Sequence, residues 1–471
     1  MQSGVAPVRH GGKVPEMGRS NTRRSFLRRG TGLVAGVVAP SIIPGSALGL
    51  GGAVAPSERI TLACLGFGTI AHSTVRSFLN KKGVQVVAVA DVQSRAGHYG
   101  YQGELEGGRD FGKELVEAHY GEDKPGGFKG CDAVVDFREL LGRDDIDAVN
   151  ISTPDHWHGV MAILAARAGK AIYGQKPLSL TVAEGRAMVA AVEEAAVTWQ
   201  TGSQQRSDVH FRRACELVRN GYLGKVHTVK VGLPGGRNDW SRLGGRQAAE
   251  AVPEGLDWDL WQGPAPEREF RPALHPLNWR HNFDYSGGMV TDFGAHHIDI
   301  AQWALDRDGT GPVKFEKVGG TMPGADELYN TAAAFHFEAI YEDGVRMVVA
   351  DREELGFSGV RFEGEDGRWL WVDRGRLESA PETIIREQLG EDAVRLYESA
   401  DHEGNFVESV LSGEPTAAPI EAAHRTITIA HLANLALRGG VESFGWDPQA
   451  ESSDSGQINA GLGRAMRGDW L

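Results

Sequence analysis

Ile60-Thr61-Leu62-Ala63-Cys64-Leu65-Gly66-Phe67-Gly68-Thr69-Ile70-Ala71 reads as an apolar strand running into a glycine-punctuated turn that opens a helix. The first glycine permits the tight turn, the second lets main chain approach a pyrophosphate, and Ala71 allows close helix–strand packing. The helix N-terminus then presents free N–H groups to an anion. A second apolar run, residues 84–90, ends at Asp91. An acid about 20 residues beyond the turn accepts from a ribose hydroxyl and disfavours a 2′-phosphate. The pattern predicts a nicotinamide dinucleotide, NAD in preference to NADP, with Arg95 as the residue that would meet a 2′-phosphate.

Working outward, residues 146–151 and 171–173 read as further buried strands, with helices near 70–79, 159–168 and 182–196 between and after them. Strands alternating with helices imply a doubly wound parallel sheet. The Gly-rich, polar stretch 94–129 reads as an insertion. Beyond Pro177 the pattern changes. Strands near 226–232, 332–337, 345–350 and 368–372 follow one another without regular crossovers, which predicts a second α/β domain with an open, mostly antiparallel sheet. Residues 232–285 are dense in Pro, Gly and Trp and read as a long structured loop over the site. A well-patterned helix covers 420–437. The predicted organisation is a leader over 1–55, a Rossmann domain over 57–177, a substrate domain over 178–440 and a tail over 441–471.

The chain has 471 residues and a formal charge of −14. The first 55 residues carry seven Lys/Arg and one acid, so the remainder is more acidic still. Such a body argues against nucleic acid or an anionic membrane as main partner and favours a small-molecule substrate. Thr22-Arg23-Arg24-Ser25-Phe26-Leu27-Arg28 resembles a twin-arginine export signal, with a modest apolar stretch and Ala53-Val54-Ala55 behind it. This predicts recognition by the twin-arginine export machinery, an exported or periplasmic location and no stable membrane insertion after processing. A protein exported folded carries its cofactor with it and must hold it tightly. Cys64, Cys131 and Cys215 match no metal or disulfide spacing, so no metal site is expected.

Three segments carry the candidate chemistry. Lys176, in Gln175-Lys176-Pro177, lies at the carboxyl edge of the parallel sheet, where its ammonium would stabilise a developing alkoxide and touch the cofactor. In Gly287-Gly288-Met289-Val290-Thr291-Asp292-Phe293-Gly294-Ala295-His296-His297, a continuous helix would put Asp292 and His296 at i and i+4 on one face. His296 is then the candidate general base, because imidazole titrates near neutrality, and Asp292 would bind a substrate hydroxyl or orient the base. His297 is turned about 100° away and supports the substrate side from a second layer or by packing. Asp299 is a structural hydrogen-bond partner. Trp279-Arg280 offers a stacking face and a donor for a sugar. Thr153-Pro154, with His158 four residues on, ends another strand near the expected nicotinamide.

Together these motifs resemble the glucose–fructose oxidoreductase / inositol dehydrogenase / rhizopine-catabolism family, Gfo/Idh/MocA. The resemblance covers nearly everything after residue 57. It implies catalytic Lys176 in a Glu-Lys-Pro-type motif and an Asp292/His296 pair, acting on sugars, polyols and related carbinols. Its exported members carry a twin-arginine leader and a tail like Arg467-Gly468-Asp469-Trp470. Gln175 replaces the common glutamate, and Asp155 stands where asparagine is frequent. The expected activity is hydride transfer between a sugar or polyol carbinol and a tightly bound nicotinamide. Glycoside cleavage through transient oxidation, or a noncatalytic sugar-binding module, are the alternatives. An uncovered sheet face would favour a homo-oligomer.

Overall fold

The computed structural model describes residues 58–100, 103–122, 128–236, 248–324 and 327–471. The twin-arginine segment lies outside them. Among the described residues no helix is long and apolar enough to cross a membrane.

The first eight strands are β1 (Ile60–Leu65), β2 (Val84–Ala90), β3 (Ala96–Tyr99), β4 (Leu105–Gly107), β5 (Asp132–Val134), β6 (Ala148–Ile151), β7 (Ala171–Gly174) and β8 (Trp199–Thr201). Six of them form a parallel sheet in the order β5-β2-β1-β6-β7-β8. Leu62, Ala63, Cys64 and Leu65 are all buried, as the unbroken apolar run requires of a strand covered on both faces. From β1 the order departs in opposite directions, to β2 and to β6. The carboxyl ends of β1 and β6 therefore flank the crevice where open α/β sheets bind ligands.

Helix α1 (Ala71–Leu79) follows the glycine turn and buries Val75 and Phe78 against this sheet. Two boundaries differ from the sequence-based expectation. The parallel sheet continues past residue 177, because helix α4 below leads into β8. The stretch 94–129 is more than an insertion: it holds the β3–β4 hairpin and a crossover helix, α2 (Arg109–Gly121). Phe111, Leu115, Val116 and Tyr120 give α2 a narrow apolar stripe, so its charged face hid it. Next come α3 (Asp155–Arg167) and α4 (Val182–Ala195), the latter capped by Thr181, whose hydroxyl accepts from Glu184 N.

The second sheet contains β9 (Thr228–Leu233), β10 (Lys314–Thr321), β11 (Ala334–Ile340), β12 (Arg346–Asp351), β13 (Gly359–Glu363), β14 (Trp369–Asp373), β15 (Arg376–Ala380), β16 (Phe444–Asp447) and β17 (Ser452–Ser453). Their order is β15-β14-β13-β9-β12-β11-β10-β16-β17. Every neighbouring pair is antiparallel except β9 and β12. The mostly antiparallel second sheet is thus as expected. Helices α5 (Val209–Arg219), α7 (Gly294–Ala304) and α8 (Ile420–Gly439) cover one face. On β14, Leu370 and Val372 point inward while Trp369 and Trp371 stay half-exposed on the other face. Residues 441–471 are not a detached tail. They supply β16 and β17, and Arg467 Nη2 donates to Asp259 O at 2.8 Å.

Candidate active site

A cavity of about 340 Å³ lies at the carboxyl ends of β1, β2, β6 and β7, within the size range of small-molecule sites. Gly66, Phe67, Gly68, Thr69 and Ile70 form one wall. Gly66 has φ +85°, and a Cβ there would sit 2.8 Å from Thr153 Cγ2 and 2.9 Å from Ser152 O. Only glycine allows this contact between the ends of β1 and β6. Asp91 pins the turn: Phe67 N donates to its Oδ2 at 2.6 Å and Gln93 N to its Oδ1 at 2.8 Å. Burial nevertheless pushes its carboxyl above the ordinary value. Arg95 does not face the groove unpaired; it is bound to Glu114.

The β3–β4 hairpin lies across the turn. Gly100 N donates to Thr69 Oγ1 at 3.0 Å, and a Cβ on Gly68 would meet Tyr99 Cε1 at 3.3 Å. On the far side the loop before residue 285 contributes Trp261, His275, Trp279 and Arg280. It is joined to the first lobe by a bridge between Gln93 and Leu256.

Lys176 and Asp292 meet on the cavity wall. Lys176 Nζ donates to Asp292 Oδ1 at 2.5 Å and to Asp292 O at 3.1 Å. The second bond depends on a helix break that the sequence did not announce. The predicted continuous helix is two, α6 (Gly288–Asp292) and α7, because His296 N bonds to Phe293 O at 3.0 Å. That leaves the Asp292 carbonyl for the ammonium. Burial alone would raise the Asp292 carboxyl; Lys176 and then Arg280 outweigh it and hold the group well below the carboxylate range. Arg280 Nε lies 3.9 Å from Asp292 Oδ2, and its guanidinium stacks 4.4 Å over the Trp279 ring.

Four expected site residues lie off the wall. His296 is not among the lining residues, and its Nδ1 is buried without a hydrogen-bond partner among the described residues. Burial first, and the nearby Lys176 cation second, push its imidazole far down, so it is neutral. The i, i+4 helical register does not run unbroken here, because the helix is interrupted between the two residues. His297 packs against Phe211 and Phe293, and burial pushes it down to about 4. His158 faces the carbonyls of Pro177 at 2.6 Å and Thr153 at 2.9 Å, tying two wall segments together from behind. Ala71 is buried where α1 meets β1. Thr153, Pro154, Trp279 and Arg280 do line the cavity. Asp299 is structural as expected, held by Arg206 Nη2 at 2.7 Å, and Arg206 also holds Asp308 at 2.8 Å.

Other wall residues had no role assigned from sequence. Tyr99 and His275 come from segments without a motif. Asp155, directly after Thr153-Pro154, was the findable one, because α3 begins at it and its side chain is thereby aimed at the strand end. Ser286 Oγ donates to Asp155 Oδ2 at 2.5 Å. Burial pushes this carboxyl up to about 7, partly offset by the Ser286 bond and reinforced by Asp292.

The cavity suits a dinucleotide. Gly66 and Gly68 keep clear a cradle that side chains would fill. Two buried donors on its wall, Gln175 Nε2 and Arg280 Nε, have no hydrogen-bond partner among the described residues. Such donors await ligand oxygens. Comparison with known proteins agrees. Residues 60–203 match the family described as "Oxidoreductase family, NAD-binding Rossmann fold", and residues 207–471 match its "C-terminal alpha/beta domain".

The chain belongs to the Gfo/Idh/MocA oxidoreductase family. Its parallel-sheet lobe is that family's NAD-binding domain, and its cofactor is a nicotinamide dinucleotide. Among curated relatives, the α-N-acetylgalactosaminidase of Shewanella oneidensis is 29% identical over 220 residues, 43% of this chain and 44% of that protein. A glycosyl hydrolase family 109 protein of Shewanella sp. MR-4 is 30% identical over the same shares. The chain thus spans less than half the length of these relatives. Among solved structures, the aldose–aldose oxidoreductase of Caulobacter crescentus superposes with TM-score 0.56 at 18% identity, covering 82% of this chain and 99% of that one. GenD2 from gentamicin A biosynthesis, in complex with NAD, gives 0.55 at 16%, covering 84% and 98%. At these identities the likeness is one of fold.

Proposed function

We propose that this family member is an exported enzyme that moves a hydride between a sugar or polyol carbinol and a tightly held nicotinamide, NAD in preference to NADP. The observation that carries the proposal is the Lys176–Asp292 pair on the same cavity wall as the Gly66–Ile70 turn. Bound there, the cofactor supplies a hydride acceptor that can return what it takes. Residues Gly66 to Ile70 and Asp91 would hold it, with Thr153, Pro154 and Gln175 alongside. Lys176, steadied by Asp292, donates to the substrate oxygen as negative charge develops on it. Asp292, an anion throughout, accepts from a second hydroxyl and so orients the ring. Arg280 donates to the sugar, and Trp279 backs it with an apolar face. His296, neutral in this environment and close to Lys176, is a second base near the pair, available once the proton has left the substrate. Self-association would use the uncovered face of the second sheet, where Arg361 stacks 4.4 Å over Trp369 and Arg376 4.8 Å over Trp371.

Tight retention is supported by the Tyr99 hairpin on one side of the turn and the Trp261–Arg280 loop on the other. The test is direct. Purified protein is expected to show nicotinamide absorbance that changes when a suitable aldose or polyol is added. Absence of bound dinucleotide together with no response to any sugar would sink the proposal.

A second reading has its own support. The curated relatives over residues shared with this chain include an α-N-acetylgalactosaminidase. Transient oxidation would acidify the neighbouring C–H, elimination would break the glycosidic bond, and the hydride would return. Free sugar released from an aryl glycoside without added electron acceptor would favour this reading over net oxidation.

A further inference from the structure

The site contains a carboxyl whose chemistry the pair above does not use. Asp155 lines the cavity from the first turn of α3, is 4% exposed, and accepts a hydrogen bond from Ser286. It makes no ion pair among the described residues: Lys176 is engaged by Asp292, and Arg280 Nη1 donates to Leu277 O at 3.0 Å. The groups that face it are Asp292 from α6, Arg280 from the turn Asn278–His281, and Lys176 from the end of β7. We propose that Asp155 is a further catalytic residue of this site, exchanging a proton directly with the reacting hydroxyl of the substrate.

Three observations converge on this. Asp292 is locked as an anion by its cations and is a weak base. His296 is a neutral base that is not among the residues lining the cavity. Asp155 is on the wall, and burial beside another carboxylate puts it up to about 7, where one group serves as acid and base alike. The proposal rests on the hydride-transfer reading. In the oxidising direction the hydroxyl O–H bond breaks and its proton goes to the Asp155 carboxylate. The carbinol C–H leaves with its electron pair for the nicotinamide, and the C=O bond forms. In the return direction the protonated Asp155 gives the proton back.

The Asp155–Ser286 bond also ties the two lobes together, so the test separates the two roles. Asp155→Asn keeps an oxygen for Ser286 and removes the exchangeable proton. Sugar-driven reduction of the bound cofactor should rise with pH through about 7 in the unaltered protein. In Asp155→Asn it should be slower by about a hundredfold and flat across that range, with cofactor content retained. Ser286→Ala keeps the carboxyl and should move the midpoint of the profile upward, because it removes a bond that favours the anion. An infrared carbonyl band of a protonated acid, present at about pH 6, lost at about pH 8.5 and absent in Asp155→Asn, reports the group without turnover. Unaltered rate and profile in Asp155→Asn, or an unmoved midpoint in Ser286→Ala, would overturn the proposal while leaving the hydride reading standing. A protein with bound cofactor that answers to no sugar, with Lys176→Ala no different, would overturn that reading and with it the role of Asp155.

Discussion

Lys176 Nζ lies 2.5 Å from Asp292 Oδ1 across 116 residues of sequence, joining the last turn of one lobe to the first helix of the other's catalytic segment. The ammonium takes the Asp292 carbonyl as well, so a single side chain satisfies both a buried charge and a helix end.

Removing either partner should expose that dependence. Lys176→Ala leaves a buried carboxylate with only Arg280 nearby and is expected to cost about 3 kcal/mol of stability. Lys176→Met with Asp292→Leu should cost less than the sum of the two single changes, by more than about 1 kcal/mol. Denaturant unfolding of the four proteins measures the coupling. The Asp292 carboxyl, held low, binds fewer protons folded than unfolded. Its contribution is therefore present above about pH 4 and is lost as pH falls below that.

Asp155 has the opposite sign. Its carboxyl is raised to about 7 in the folded protein, so between its ordinary value and 7 the folded state holds the extra proton. Stability should fall as pH rises across that window and then level off, the total being on the order of 4 kcal/mol. Asp155→Asn removes this loss. Melting temperatures at a series of pH values should show the variant gaining on the parent up to about pH 7; parallel curves would contradict the raised carboxyl.

Gly66→Ala combines a positive φ with a Cβ 2.8 Å from Thr153 Cγ2. The expected cost is about 2 kcal/mol or more, concentrated where the pyrophosphate would lie. The purified variant should carry much less nicotinamide absorbance than the parent, a loss visible in one spectrum.

Arg206 is 2% exposed between Asp299 and Asp308 and stacks 5.2 Å over the Trp303 ring. Arg206→Met strands Asp299 and should cost about 3 kcal/mol. Adding Asp299→Leu should recover much of it, since two apolar groups leave no buried charge. Bound cofactor per folded molecule should be unchanged in both, which chemical unfolding and absorbance together would establish.

Local pattern was enough for part of this protein. The run from Ile60 to Ala71 announces a strand, turn and helix because buried parallel strands must be apolar and this turn must be glycine. Asp91 and Lys176 could be picked out because each follows closely on an apolar strand, and Asp292 through its spacing to His296 and the family resemblance. The second sheet was legible in class but not in full. Strands β10, β13 and β15 are polar on their outer face and escape a search for apolar runs, and α2 was masked by its charged side.

Which side chains share a cavity was decided only by tertiary contacts. His296 and Asp292 are four apart, yet the helix breaks at Phe293 between them, because a carbonyl that Lys176 can capture need not bond within the helix. Asp155 stands out in the sequence only as a departure from a frequent asparagine, and nothing local marks its environment. Burial against Ser286 and Asp292, from a segment more than a hundred residues away, is what changes its charge, and that proximity exists only once the two lobes have packed.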